Sequence, residues 1–453
     1  MSERPCNERK EAAQILVKVL YEGAYSSVLL QKTFQAHPEW DARQRALITN
    51  LVYTVLTHTL RLESMVNLYS KTPMRRMKPY IAVVLMMSAA QLLWMKKIPP
   101  SAVVDEAVKL VLASPWRGLS GFVNGVLRSM LRADLRESWP EAGEDLLAHL
   151  SVRYSIPRWI LELWERSYGM ERTRELAKTM ALPRCLSVRV NTCRISPAEL
   201  ASRLALRIGE ENVRPGLYCP EALQIKTPGD LSGWPEFRGG LMTVQDESSM
   251  FCAHALAPQP GEKVLDLCAA PGGKSTHIAQ IMKNTGLVEA RDVHESKVRL
   301  IQENAARLGL GIVRAVPGDA LAARPEDRGT WDRVLLDAPC SGLGILRNKP
   351  DLKLHRQPQD IEELAGLQSR MLENAAKCVR TGGVLVYSTC TLNPTENEEN
   401  VRQFLHRHPE FQAVSLQGSL PGNPGGAGTE YTYIWPEAEG LDGFFIAKLC
   451  KKR

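Results

Sequence analysis

From about Gly240 onward, short runs rich in β-branched residues alternate with stretches of helical spacing. The runs are Val264–Leu267, Leu287–Asp292, Ile312–Val316, Val334–Asp337 and Val384–Ser388. Strands separated by helices build βαβ units, so this region is constrained to a doubly wound, largely parallel sheet. The segments ending at Cys340 and Cys390, Arg333-Val-Leu-Leu-Asp-Ala-Pro-Cys and Gly383-Val-Leu-Val-Tyr-Ser-Thr-Cys, read as strands buried on both faces. Ligands of such sheets bind beyond the carboxyl ends of the strands. Cys340 and Cys390 are therefore expected in one crevice.

The rest of the chain reads differently. Residues 1–140 are helical in pattern: Glu11 to Leu20, Arg43 to Tyr53 and Gly121 to Arg132 carry apolar residues at helical spacing. Pro99-Pro100-Ser101 reads as a break followed by an N-cap, with the next helix over Ala102 to Leu112, and Trp139-Pro140 ends the bundle. Ile81 to Trp94 is the longest apolar stretch; it falls short of the ~20 residues that span a bilayer, so a buried helix is expected. Between 145 and 240 the pattern is mixed. A helix starts at Ile156-Pro157 and runs through Trp164, Cys185 to Asn191 is strand-like, and Ser196-Pro-Ala-Glu caps a further helix. Pro and Gly cluster from Pro215 to Gly240. Late in the chain a glycine-rich loop, Gly422 to Gly428, precedes a last strand from Gly443. The expected division is 1–144, 145–239 and 240–453.

Charge follows this division. The net charge of +7 is distributed as +5 over 1–150, +4 over 151–240 and −2 over 241–453. Lys71, Arg75, Arg76, Lys78, Lys96 and Lys97 occur with no acid between them. Such asymmetry suits a polyanion partner, though a solvated basic face explains it as well. The polar N-terminus has no secretory character, and ten cysteines in a long chain of this kind suggest a reducing cytosol rather than disulfides. There is no C-x-x-C pair, and His406 and His408 are poorly spaced for one helix face, so no metal is expected.

The strand ends carry the chemistry. Asp266-Leu-Cys268-Ala269-Ala270-Pro271-Gly272-Gly273-Lys274 joins a strand to a helix, and its glycines let backbone approach a ligand. It is not a phosphate-binding P-loop, because Cys268 stands where the first glycine is required. Asp292 suits a ribose diol or a helix cap. Asp319 suits an adenine amino group or a turn. Asp337 can bond the N3–N4 edge of cytosine and, once protonated, steady negative charge developing in the ring. Free cysteines are usually small buried hydrophobes, a reading that suits Cys268 and Cys378. Cys340 and Cys390 differ, since each lies just past a strand end among turn and polar residues. One cofactor loop with two thiols is what methyl transfer to C5 of a pyrimidine needs. Thiolate addition at C6 makes C5 enamine-like, and a second thiol can assist loss of the C5 proton. Lys274 could lower a thiol pKa or hold a substrate phosphate.

These residues resemble the NOL1/NOP2/Sun family of RNA 5-methylcytosine methyltransferases. The resemblance rests on Asp266 to Lys274, Asp337-Ala-Pro-Cys340-Ser-Gly, Tyr387-Ser-Thr-Cys390-Thr and Gln245-Asp-Glu-Ser-Ser. Ile98-Pro-Pro-Ser-Ala-Val-Val-Asp-Glu-Ala-Val and Phe122-Val-Asn-Gly-Val-Leu-Arg are similar to the NusB-like helical domain of its bacterial ribosomal member, and Asp442-Gly-Phe-Phe-Ile-Ala-Lys extends the likeness to the C-terminus. It implies an all-α NusB-like domain, a small α/β connecting module for RNA recognition and a Rossmann-like methyltransferase domain. It implies S-adenosylmethionine, held by Cys268, Ala269, Ala270, Pro271, Gly272, Gly273 and Lys274 with Asp292, Asp319 and Asp337. It assigns Cys390 as nucleophile and Cys340 to proton removal and product release. Enzymes acting on DNA attack from the Pro-Cys cysteine, so the pair implies RNA: a cytosine in 16S rRNA, free or in an assembling small subunit, with no DNA or membrane partner. Two alternatives remain open on the sequence, the same chemistry on tRNA and a non-catalytic RNA-binding or antitermination-like factor.

Overall fold

The computed structural model describes residues 8–133, 145–182, 185–226, 229, 231–322, 324–424, 430–437 and 440–453. Trp139-Pro140 and most of the loop Gly422 to Gly428 lie outside them. The chain divides into two compact units: residues 1–181 with 346–356, and residues 182–345 with 357–453.

The first unit is helical. Its most buried element is the helix Pro79–Trp94, in which every residue from Ile81 to Gln91 is buried. A helix apolar all round has to be covered on every side. Ala12, Leu16, Leu51, Val55, Val104, Val111, Val123 and Leu127 from the surrounding helices share its core. The helix Ala42–Thr57 begins with a reciprocal cap: Asp41 accepts from the Gln44 N–H at 2.8 Å, and Gln44 accepts from the Asp41 N–H at 3.0 Å. Such caps contribute about 1 kcal/mol. No described helix is long and apolar enough to cross a membrane.

Two sequence expectations shift here. Ser101 is not an N-cap; the helix is Pro100–Leu112, capped by an extended Pro99. Proline at the first helical position has the required φ and no N–H to leave unpaired, so the helix starts one residue before the hydroxyl. The helix after Pro157 continues from Arg158 to Met180, interrupted by Gly169 at φ 79°. The helices Leu146–Tyr154 and Arg158–Met180, placed with the connecting module on the sequence, group with the helical unit. The Ser155 hydroxyl accepts from the Arg61 N–H at 3.0 Å, one of the ties behind that grouping.

The second unit holds two sheets. The smaller has strands β1 (Leu186–Val190), β2 (Val213–Pro215), β3 (Ala222–Ile225) and β4 (Met242–Val244) in the antiparallel order β2-β3-β1-β4. The helix Pro197–Ile208 lays Leu200 and Leu204 on its inner face against Val188, Val190, Leu223 and Met242. Ser196 caps it, accepting from the Glu199 N–H at 3.2 Å.

The larger sheet contains β5 (Lys263–Asp266), β6 (Leu287–Asp292), β7 (Val313–Pro317), β8 (Trp331–Asp337), β9 (Val379–Thr389), β10 (Phe411–Ala413), β11 (Thr432–Ile434) and β12 (Phe444–Lys451). Its order is β10-β12-β9-β8-β5-β6-β7, with β11 also on β12. β7, β6, β5, β8 and β9 run parallel, and β12 returns antiparallel to β9. Consecutive residues serve opposite faces: Val264 packs with Phe251 and Ile278, and Leu265 with Met371 and Leu372. The chain goes outward from β5 through β6 to β7, then returns to the other side of β5 with β8. That reversal opens a crevice at the carboxyl ends of β5 and β8, which end on Asp266 and Asp337.

Candidate active site

The loop after β5 turns tightly into the helix Gly273–Ile281. The Gly272 N–H donates to the Ala269 carbonyl at 2.7 Å, and the Ala269 N–H to the Arg291 carbonyl at 2.8 Å. Gly272 sits at φ 98°, and a Cβ there would press on Ile301 at 3.2 Å, so glycine is needed twice over. Gly273 has open space on its Cα, with only Gln245 nearby at 3.8 Å. The helix then presents its first backbone N–H groups beyond the sheet, which favours an anionic ligand group. Beneath it, Ser275 donates to Asp266 at 2.6 Å, and burial pushes the Asp266 carboxyl up to about 7.

Asp292 ends β6 and accepts from the His294 N–H at 3.1 Å, so its carboxylate closes a turn while standing at the strand end. Asp319 is exposed and accepts from the Leu321 N–H at 2.9 Å. Asp319 therefore has the turn contact that the sequence allowed as its alternative to ligand binding, whereas Asp292 is not the helix cap allowed as its alternative, since His294 is the N-cap of the helix Glu295–Leu308. Asp337 is an acceptor on both oxygens: Ser388 donates at 2.9 Å and the Lys274 ammonium at 2.7 Å. Burial alone would lower the Lys274 pKa; the Asp337 charge outweighs it and holds the ammonium above its ordinary value. The same ammonium lies 5.2 Å from the Phe444 ring centroid.

Cys340, after β8, and Cys390, after β9, bring their sulfurs to 3.3 Å. All nine described cysteines are free, so this is a thiol pair and not a disulfide. The Cys340 pKa is raised, first by its hydrogen bond with Cys390, then by burial and the charges of Cys390, Glu396 and Asp337. Cys268 and Cys378 are held up by burial, in keeping with inert thiols.

Three supporting charges were given no role by the sequence reading, although Glu247 falls within the run Gln245-Asp-Glu-Ser-Ser. Arg189 on β1 is fully buried and donates to the Gly273 carbonyl at 2.7 Å, to Thr276 at 2.9 Å and to Gln245. It pins the first turn of the glycine-loop helix to the small sheet. Glu247 accepts from the Leu217, Tyr218 and Cys219 N–H groups at 2.8, 2.8 and 2.9 Å. Glu396 is wholly buried behind the two cysteines. A further cluster, Cys219, Glu221 and His254, brings three donor atoms within 4.8 Å of one another. Glu221 sits between His254 at 2.7 Å and His277 at 2.9 Å. His408, one of the pair passed over as ligands on the sequence, contacts Glu373 and Glu410.

Comparison with known proteins gives three family matches along the chain. Residues 253–450 match the family described as 16S rRNA methyltransferase RsmB/F, residues 6–132 the NusB family, and residues 156–232 the RsmF/B-like ferredoxin-like domain. The chain is 38% identical over 447 residues, 98% of each chain, to a probable ribosomal RNA small subunit methyltransferase B of Bacillus subtilis. It is 34% identical over 451 residues to ribosomal RNA small subunit methyltransferase B of Escherichia coli K12, covering 98% of this chain and 99% of that one. Among solved structures it is similar to PH0851, with a TM-score of 0.80 and 27% identity over 99% of this chain and 100% of the other. It is also similar to NSun6 of Pyrococcus horikoshii with SFG, with a TM-score of 0.58 and 28% identity over 66% of this chain and 98% of the other.

Proposed function

The chain belongs to the RsmB/F family of 16S rRNA methyltransferases, and from that premise we propose that it methylates C5 of a cytosine in 16S rRNA through a covalent cysteine–C6 adduct. The observation that carries the reading is the pair of unbridged sulfurs 3.3 Å apart beside the Asp337–Lys274 ion pair at the switch point of the sheet.

The donor of this family is S-adenosylmethionine, and the residues present fit it. A glycine turn with open space at Gly273 leads into a helix N-terminus, and Asp292 ends the next strand. Cys268 to Lys274, Asp292, Asp319 and Asp337 are the residues that would hold it. When bound, it supplies an electrophilic methyl group. The protein's part is then to make C5 nucleophilic. Cys390 adds its sulfur to C6, and the electron pair of the C5–C6 bond moves to C5. Asp337 faces the N3–N4 edge of the base, and its contact with Lys274 places a cation beside the charge that develops in the ring. After transfer the C5 proton passes to water with the assistance of Cys340. The C5–C6 double bond re-forms as the bond from Cys390 to C6 breaks.

The test is methyl transfer from labelled S-adenosylmethionine to unmodified 16S rRNA and to bulk tRNA in parallel, with the product mapped by bisulfite sequencing. One protected cytosine in 16S rRNA is the expected result. Label in tRNA alone would overturn the substrate and keep the chemistry. Label on a base other than cytosine would overturn the chemistry.

A further inference from the structure

Glu396 is a carboxylate with no exposed surface, held by four uncharged donors. The Ser341 N–H donates at 2.8 Å, the Gln368 amide at 2.9 Å and the Asn393 amide at 3.1 Å. The fourth donor is the Ser341 hydroxyl. A wholly buried carboxyl group that needs four neutral partners is costly to keep, and the cost asks for a role.

Its position supplies one. Ser341 follows Cys340, and Thr391 follows Cys390. The Ser341 and Thr391 hydroxyls lie 2.7 Å apart, so the residue after each cysteine meets its counterpart on the edge of Glu396. The Gly344 N–H donates to the Cys390 carbonyl at 3.0 Å, and the Tyr387 hydroxyl to the Glu396 carbonyl at 2.6 Å. Glu396 is thus the point where the loops after β8 and β9 are fastened together.

Charge points the same way. The ionisable groups facing the two sulfurs are Asp337, Glu396 and Tyr387 around Cys340, with Lys274 beside Cys390. The charges of Cys390, Glu396 and Asp337 oppose loss of a proton from Cys340, while the Lys274 ammonium is coupled to Cys390.

We propose that Glu396 is a positioning residue for the methyl transfer: it clamps the two cysteine loops in register, so that the Cys390 sulfur is presented for addition while Cys340 stays a thiol beside it. The inference rests on the reading of Cys390 as the nucleophile.

Iodoacetamide labelling tests it on the full chain without any RNA. Rates at the Cys340 and Cys390 peptides are followed by mass spectrometry from pH 6 to 9. In the unmodified protein Cys340 should label at least about tenfold more slowly than Cys390 at pH 7, because its raised pKa withholds the reactive thiolate. Glu396→Gln removes the charge and should shrink that ratio at least about threefold, with the pH profile of the Cys340 rate moving down in pH. Methyl transfer should lose kcat with KM for RNA little changed. A labelling ratio and pH profile equal to those of the unmodified protein in a folded Glu396→Gln would overturn the proposal. Should that variant melt below the assay temperature, Ser341→Ala decides. It deletes the hydroxyl link and keeps the backbone bond, and the ratio should fall in the same direction; an unchanged ratio overturns the proposal equally. The labelling outcome is independent of the substrate. Absence of methyl transfer by the unmodified protein would therefore count against the proposed function alone.

Discussion

Asp351 accepts two hydrogen bonds from Ser26, 325 positions away, one from its N–H at 2.9 Å and one from its hydroxyl at 3.0 Å. Ser26 is the first residue of the helix Ser26–Ala36, whose preceding residue, Tyr25, makes no side-chain cap. Asp351 therefore caps a helix from far along the chain and places negative charge at its N-terminus. Its neighbours take part too: Lys353 is buried and donates to the Thr57 carbonyl at 2.7 Å, and Leu354 packs on the helical core. Asp351→Ala leaves the buried Ser26 N–H without its acceptor and should cost about 1–3 kcal/mol. Asp351→Asn, which keeps an acceptor, should cost less. Urea unfolding of the full chain checks both; equal stability of the alanine variant and the unmodified protein would refute the capping role.

The thiol pair makes opposite predictions for its two members. Cys390→Ala should abolish methyl transfer, because it removes the sulfur assigned to add to C6. Cys340→Ala should still form the adduct but release it slowly, so a cytosine-containing RNA should run as a shifted band with the protein on a denaturing gel. Normal turnover by Cys390→Ala, or a shifted band from Cys390→Ala in place of Cys340→Ala, would reverse the assigned roles.

Why were the sulfurs legible in the sequence and their supports not? Cys340, Cys390, Asp266, Asp292 and Asp337 each stand at or just past the end of a β-branched run, and a parallel sheet has to bring such ends to one edge. That inference needs only local pattern and topology. Arg189 and Glu396 act through partners that no local pattern ties to them: Gly273 lies 84 positions from Arg189, and Ser341 lies 55 from Glu396. In sequence each looks like an ordinary surface charge. The run of Asn393, Thr395, Glu396 and Asn397, rich in capping side chains just after Cys390, was the available signal. Residues 346–356 were hidden for another reason. They sit between two strands of the sheet, where a connecting loop is the natural reading, yet their buried contacts are with the helical core. The interruption at Gly169 and the cap at Pro99 show that glycine and proline mark breaks well and exact helix limits less well.

His277 gives the fold an acid sensitivity of predictable sign. Burial pushes its pKa down to about 3, so the folded protein keeps the imidazole neutral beside Glu221. The unfolded chain binds a proton near pH 6.5. The contribution is full above that pH and is lost as pH falls toward 3. At pH 5 the loss is about 2 kcal/mol, from about 1.4 kcal/mol per pH unit. His277→Gln keeps a donor for Glu221 and does not titrate. Its unfolding free energy should fall less than that of the unmodified protein between pH 6.5 and 5; parallel curves over that window would exclude His277 as the source.

Gly344 links the two cysteine loops to β12 at closer range than any side chain allows. Its N–H donates to the Cys390 carbonyl at 3.0 Å, and its own carbonyl accepts from the Gly443 N–H at 2.8 Å. A Cβ on Gly344 would stand 2.1 Å from the Gly443 oxygen and 2.9 Å from the Cys390 oxygen. Both are backbone atoms and cannot rotate aside, so Gly344→Ala has to move the chain behind Cys340 away from the chain behind Cys390. Overpacking of this kind costs about 1–3 kcal/mol. A displacement of about 1 Å at reacting groups costs up to ~100-fold in rate. Methyl transfer should therefore fall at least about tenfold, while binding of S-adenosylmethionine, whose proposed loop lies at 268–274, should change little. A Cβ added at Gly366, in the helix Pro358–Cys378, would meet nothing within 4 Å. Gly366→Ala is the matched control and should gain up to about 1 kcal/mol from helix propensity with normal activity. Calorimetry for cofactor binding, urea unfolding and the methyl-transfer rate separate the two variants. A Gly344→Ala protein within twofold of normal turnover would mean that the spacing of the cysteine loops is not set at this contact.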